Sequence, residues 1–489
     1  MTGPGEGLRY SSPAGRWVIA ATVAGSGLAT IDGTVVGIAL PSIGREFHAG
    51  VAGLQWVVTA YLLALAGLLL LGGALGDRYG RRRVFLVGVV WFALASLVCG
   101  VAPDAWTLVA ARGLQGVGGA LLVPGSLAIL QGGFREEDRG RAIGAWSGLG
   151  GIAAAVGPFL GGYLIQAVSW RLIFLINLPL AAGVVAVGLR HVPETRDPTA
   201  PRRLDWAGGA LATGGLLGIT FGLIEGPVGG WATLRVLGPL AVGVGLLVAF
   251  VAAERRSRHP LLPVEIFRSR QFNAANLLTF VVYGALGGAL FLLPVALQDV
   301  ARYSPIEAGA SLLPVTVIML LLSPRSGALA GRIGPRLQMT AGPVLVAAGL
   351  ALLVRVDSTG SYLDEVLPAM VVFGLGLAVC VAPLTTTVLA AASADHAGVA
   401  SAVNNDVARA AGLIAVAVLP AAAGISGSGY LEPIRLAAGF HRAVLLCAGL
   451  CLAGAVVAGV GIRSPTRTEV GDGRENAHSC PLDAPPLRS

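Results

Sequence analysis

The chain has 489 residues, of which 55% are hydrophobic and only 12% charged, with a mean hydropathy of +0.77. A soluble domain carries about 25% charged residues, so a soluble fold is excluded. The net charge of +8 rests on arginine, since the chain has no lysine, and loop arginines facing anionic lipid account for it better than a nucleic-acid partner does.

Residues 1–15 read as a short segment outside the bilayer. The apolar run near 17–40 is too long for a signal-peptide core and is expected to be the first span. It contains Asp32, and a carboxylate at that depth costs about 3 kcal/mol unless it is paired, protonated or water-facing. The second run, 54–75, carries Gln55, Trp56 and Tyr61. Between it and the third, 84–102, lies a compact charged stretch with Gly73, Asp77, Arg78, Gly80 and Arg81. The fourth run, 106–130, holds Arg112 and Gln115. At 1.5 Å per residue, Asp32 and Arg112 lie roughly 12 and 9 Å from the same membrane face, so they can meet. The fifth run, 143–168, contains Gly157, Pro158, Gly161 and Gly162, which suit close helix packing and a kink.

Further runs fall near 172–189, 206–225, 233–253, 272–298, 306–324, 338–356, 363–392, 399–423 and 440–462, which brings the total to fourteen. Glu225 and Gln298 close two of them. The run at 399–423 opens with Asn404, Asn405, Asp406 and Arg409, and the spacing of Asp406 and Arg409 allows a local ion pair. The tail, 463–489, is polar and Pro-rich, and is expected to be disordered. An even span count places both termini on one side, and the excess of arginine in the loops of that side predicts a cytoplasmic location.

The stretch Gly327-Ala328-Leu329-Ala330-Gly331-Arg332-Ile333-Gly334-Pro335-Arg336 repeats the charged stretch at 73–82 in degraded form. The first copy follows span 2 and the second follows span 10. A duplicated six-span unit with two inserted spans explains that offset: 16–190 and 272–462 become the bundles, and 191–271 carries the inserted spans 7 and 8. In the second copy Gly331 replaces the acid, so no equivalent latch is expected there.

The first stretch resembles the signature loop of the major facilitator superfamily. Arg112-Gly113-Leu114-Gln115-Gly116 is similar to its R-x-x-Q-G motif, and Gly157-Pro158-Phe159-Leu160-Gly161-Gly162 to its antiporter motif. The segment around Asp32 resembles the first span of the fourteen-span drug:proton antiporters, with Gly37 where that family usually has Asn. Trp170–Pro179, Leu204-Asp205-Trp206, Glu225-Gly226-Pro227 and Ala397–Asn405 extend the likeness over 16–462.

The resemblance implies an all-α major-facilitator fold with two six-helix bundles and two inserted helices, in a bacterial cell membrane. It implies a proton-driven exporter of lipophilic compounds, of the multidrug-resistance type, with Asp32 and Arg112 coupling the proton and Glu225 and Asp406 as further candidates. The charged stretch would gate the inner face. A greasy substrate cavity would carry Gln55, Trp56, Tyr61, Gln115, Gln298, Asn404, Asn405 and Arg409. The alternatives are a dedicated exporter of one endogenous metabolite or antibiotic and, more remotely, a non-transporting receptor. An enzyme is not expected, because no nucleophile–base pair stands out. No cofactor, metal site or phosphate loop is expected either, and the protein should be a monomer.

Overall fold

The computed structural model describes residues 7–197, 205–256, 264–358, 361–391, 397–427 and 432–463. The tail from 464 onward, Cys480 and Leu204 lie outside the described residues. Fourteen helices are long and apolar enough to cross a membrane. They are α1 Pro13–Phe47, α2 Val51–Tyr79, α3 Arg81–Gly100, α4 Ala105–Gly133, α5 Glu136–Ala167, α6 Leu172–His191 and α7 Trp206–Gly229. The rest are α8 Leu234–Arg256, α9 Arg270–Asp299, α10 Pro305–Ile333, α11 Pro335–Arg355, α12 Tyr362–Ala390, α13 Val399–Ala422 and α14 Pro433–Gly461.

Polar caps set several helix starts. The Asp104 carboxylate accepts from the Thr107 amide at 2.9 Å, and Ser304 with Glu307 forms a reciprocal capping box ahead of α10. Helices overrun the apolar runs, because the backbone keeps its own hydrogen bonds after leaving lipid. Gly73 through Tyr79 are therefore the last turns of α2 rather than a loop. The turn itself is Gly80, at φ 113°, and its counterpart in the repeat is Gly334, at φ 82°. Both need the freedom that glycine alone has there.

Packing repeats with an offset of eight. Helix α1 lies against α5 and α6, α4 against α2 and α3, and α3 against α6; α9 lies against α13 and α14, α12 against α10 and α11, and α11 against α14. These are the two six-helix bundles. Helices α7 and α8 pair with each other, and α7 also contacts α2 and α13.

The two bundles join in the half of the molecule away from Pro13 and Gly461, here called the far half. There Gln298 Nε2 donates to Ile38 O at 2.9 Å, and Gln55 Nε2 to Val416 O at 2.7 Å and Ala417 O at 3.0 Å. Arg45 pairs with Asp299 at 3.0 Å. A Cβ on Gly162 would collide with the Pro305 carbonyl, and one on Gly309 with that of Pro158, so α5 and α10 touch backbone to backbone. Toward the terminal face, a Cβ added to Gly144, Gly148 or Gly151 of α5 would meet no neighbouring element within 4 Å. The molecule is closed at its far face and parts toward the face that carries Pro13 and Gly461.

Candidate functional site

Asp32 and Arg112 meet as their depths predicted. Both are 1% exposed, and Arg112 Nη1 donates to Asp32 Oδ2 in a short, direct contact. The same Nη1 donates to Gln115 Oε1 at 2.6 Å, while Gln115 Nε2 donates to Asp32 Oδ1 at 2.8 Å. Gln115 lies one turn after Arg112 on α4, so the R-x-x-Q spacing puts both side chains on one face. Arg112 Nε donates to Val57 O at 3.1 Å, and its guanidinium lies 4.3 Å from the Tyr61 ring centre. Both carboxylate oxygens of Asp32 thus accept hydrogen bonds, and Arg112 donates to three partners, the kind of support under which a buried ion pair is tolerated.

Two further residues complete the cluster. Ser96 Oγ accepts from Gln115 Nε2 at 3.0 Å and from Asn177 Nδ2 at 2.9 Å, and itself donates to Phe174 O at 3.1 Å. Asn177 Nδ2 also lies 3.5 Å from Asp32 Oδ1. Sequence reasoning gave neither residue a role. Their only signal was a polar side chain inside an apolar run.

Beside this cluster, between the bundles, is a cavity of 360 Å³. Its wall is mainly apolar: Leu290, Phe291, Leu312, Val315, Met319, Phe373 and Leu377 from the second bundle face Val36, Val58 and Leu62 of the first. Polar atoms come from Thr34, Tyr61, Arg112 and Thr316. Gly37 lies on this wall, so its lack of a side chain widens the space.

Of the residues expected to form this wall, Tyr61 lines it and the others lie elsewhere. Gln55 and Gln298 are used in the far-half joint described above. Gln115 belongs to the ion cluster. Trp56 donates through Nε1 to Glu225 Oε1 at 3.2 Å, which ties α2 to α7. Asn404 Nδ2 donates to Thr279 Oγ1 at 2.7 Å and Asn276 Oδ1 at 3.1 Å on α9, and Asn405 turns outward and bonds Ser401 O at 2.9 Å. The reason is general: a polar side chain in lipid finds a backbone or side-chain partner before it faces a greasy cavity. The local Asp406–Arg409 pair does not form. Asp406 Oδ1 and Arg409 Nε are both buried without a hydrogen-bond partner, and Asp406 lines a separate cavity instead.

Of the antiporter motif, Gly157 approaches Thr34 and Gly161 approaches Val35, both on α1, whereas Gly162 reaches across to α10. In the charged stretch, the Asp77 carboxylate accepts from Arg81 at 2.8 Å, and Arg78 lies over the Tyr79 ring. A Cβ on Gly73 would lie 3.6 Å from the Pro124 side chain. Glu194 sits at the N-terminus of α3. Its carboxylate accepts from the amides of Arg82 at 3.0 Å and Arg83 at 3.2 Å, where the helix dipole favours it. Arg81 N to Thr195 O at 2.9 Å and Asp197 N to Asp77 O at 3.1 Å complete the clasp. The stretch is thus held by the segment following α6, within its own bundle.

Among the described residues no group of His, Cys, Asp and Glu could hold a metal ion. The architecture resembles solved transporters. A POT family transporter in complex with 5-aminolevulinic acid aligns with a TM-score of 0.68 at 12% identity, covering 92% of this chain and 97% of that one. A bacterial homologue of the human lysosomal transporter Spinster, in its inward-facing and occupied conformation, aligns with a TM-score of 0.67 at 16% identity, covering 93% and 98%. At such identities the likeness is one of fold.

Sequence relatives are nearer. The puromycin resistance protein pur8 of Streptomyces alboniger is 37% identical over 478 residues, 95% of this chain and 94% of its own. The tetracenomycin C resistance and export protein of Streptomyces glaucescens is 36% identical over 419 residues, covering 85% and 77%. The multidrug resistance protein Stp of Mycobacterium tuberculosis is 37% identical over 407 residues, covering 82% and 75%. The sequence model of the Major Facilitator Superfamily matches residues 22–417, from α1 into α13. With twelve of its fourteen membrane-length helices in two repeated bundles around a central cavity, and the family's model matched over most of its length, this chain belongs to the Major Facilitator Superfamily.

Proposed function

We propose that the protein exports lipophilic small molecules from a bacterial cell in exchange for protons, as a multidrug-resistance transporter. The observation that supports this most directly is the buried Asp32–Arg112–Gln115 cluster beside an apolar cavity between the bundles. Relatives named for resistance and export to antibiotics supply the direction of transport. The face carrying the chain ends is the cytoplasmic one in this reading, both termini lie there, and the protein works as a monomer without a cofactor.

In the conformation described, the cavity is closed at its far end and receives substrate from the cytoplasmic side. Asp32, as carboxylate, is held by Arg112 and Gln115. After the bundles rock, a proton from outside neutralises Asp32 and removes the ionic part of its bond to Arg112. Arg112 lines the cavity, so its release changes the wall that substrate touches and favours discharge outward. Return to the closed form delivers the proton inward. Each charge moved down 100 mV supplies about 2.3 kcal/mol.

A second reading, export of one endogenous metabolite or antibiotic, draws on relatives named for a single compound, such as tetracenomycin C. Purified protein in vesicles decides. Under an imposed proton gradient, puromycin, tetracenomycin C and unrelated lipophilic compounds should move uphill, with proton flow in the opposite direction. Flux of one compound alone would select the second reading. Substrate movement that ignores the proton gradient would overturn the coupling.

A further inference from the structure

A second cavity, of 250 Å³, lies between α2, α7, α8 and α13, apart from the central one. Its wall is apolar, with Leu70, Leu216, Leu247 and the aromatic rings of Phe250 and Phe267, except for one charged group, Asp406. Asp406 Oδ1 is buried and has no hydrogen-bond partner. Arg409, one turn along α13, lies off this wall and acts on Asp406 only through space, and no ion pair joins the two among the described residues. A carboxylate on an apolar wall, with a buried oxygen unbonded and no ion-pair partner, keeps a desolvation cost that a positive ligand would relieve.

The central cavity offers a cation little. Its one charged wall residue is Arg112, and the Asp32 carboxylate beside it is already bonded by Arg112 and Gln115. The two cavities follow the same pair of helices. On α2, Leu62 lines the central cavity and Ala66 the second one; on α13, Gly412 lines the central cavity and Ala410 the second. The two walls are thus one helical turn apart on α2 and about half a turn apart on α13, so the cavities adjoin along the α2–α13 seam. The second cavity is smaller than the roughly 300–1,000 Å³ of drug-sized sites, which suits a small ligand.

We propose that this second cavity binds a free lipophilic monocation, a small protonated or quaternary amine, with its charge on Asp406 and its apolar body between Phe250, Phe267 and the leucines. As a first station for substrate on its way to the central cavity this rests on the export reading, whereas the binding itself does not. Aromatic faces add to the attraction of a cation, as they do in other ammonium sites.

The test is equilibrium binding of radiolabelled benzyltrimethylammonium to the full chain in phosphatidylglycerol nanodiscs, with no gradient present. Asp406→Asn should weaken binding at least tenfold, and Asp406→Glu should retain most of it. Ala410→Phe, which fills the cavity without altering charge, should abolish binding. Neopentylbenzene, the neutral isostere, should compete at least tenfold less well on the unmodified protein. Binding to Asp406→Asn or Ala410→Phe within twofold of the unmodified protein overturns the proposal, as does equal competition by the neutral isostere. Displacement of the probe by added phosphatidylethanolamine would assign the cavity to a lipid headgroup and also overturn it. Should Asp406→Asn not fold, Ala410→Phe and the isostere competition still decide. Intact binding in a protein that exports nothing would sink the transport reading and leave this site standing.

Discussion

Asp32 carries the sharpest single-residue expectation. Its carboxylate takes hydrogen bonds from Arg112 and Gln115, and an amide can replace only part of that set. Asp32→Asn should lose uphill, pH-driven export by tenfold or more in vesicles while keeping downhill exchange of substrate. Asp32→Glu should keep partial pumping. Undiminished pH dependence in Asp32→Asn would move the coupling site elsewhere. Arg112→Ala is different in kind, because it leaves a buried carboxylate without its cation. Breaking a buried pair in this way costs about 3–5 kcal/mol, so the variant should show a clearly lowered thermal midpoint. Asp32→Asn with Arg112→Ala should recover part of that loss. Asp32 and Arg112 were legible from sequence, since ionised groups stand out in apolar runs and helical rise gives their depth. Ser96 and Asn177 were not, because one hydroxyl and one amide carry no mark of which helix they will face.

At the scale of elements, glycines decide how helices meet. Gly161 packs on Val35 within the first bundle, while Gly162 packs across on the α10 backbone. Gly162→Leu should therefore push α5 from α10 and disfavour the conformation closed at the far face. A single cysteine at Ile306 should then react faster with a membrane-impermeant maleimide applied to the far side, and an unchanged rate would reject this role for Gly162. The α2–α3 turn gives a second expectation. Gly80 has φ 113°, and a Cβ there would sit 2.7 Å from the Glu194 carboxylate. Gly80→Ala should cost about 1–3 kcal/mol through backbone strain, seen as a lower midpoint of thermal unfolding. Glu194→Gln should cost less, since an amide oxygen still accepts from Arg82 and Arg83. The sequence marked this turn as functional but could not name Glu194, which lies 112 positions from the Arg82 amide it holds.

The whole molecule is arranged as two bundles hinged about a closed far half. Reporter cysteines test its sidedness on a background lacking the native thiols, of which Cys99, Cys380, Cys447 and Cys451 are buried. A cysteine at Gly140, in the open space near the α4–α5 turn, should be labelled from the cytoplasm only. A cysteine at Arg302, in the α9–α10 turn, should be labelled from outside only. Labelling of both from one side would break the topology.

Composition and period alone determined that this chain is a membrane protein of fourteen apolar helices, because lipid permits little else for so hydrophobic a chain. The repeat of the charged stretch determined the six-two-six order, since the offset from span 2 to span 10 admits a simple duplication only with two spans inserted. Motif spacing put Arg112 and Gln115 on one face of α4, because residues three or four apart share a face, but did not show that Gln115 would join the ion cluster rather than the cavity wall. What only the tertiary structure decided is where the remaining polar groups point. Gln55, Gln298 and Asn404 were expected in the cavity and instead bind other helices, Asp406 and Arg409 form no ion pair among the described residues, and Glu194 closes on a distant turn. Those outcomes depend on which helix stands opposite at a given depth, and hydropathy, which records only distance along one chain, does not contain that information.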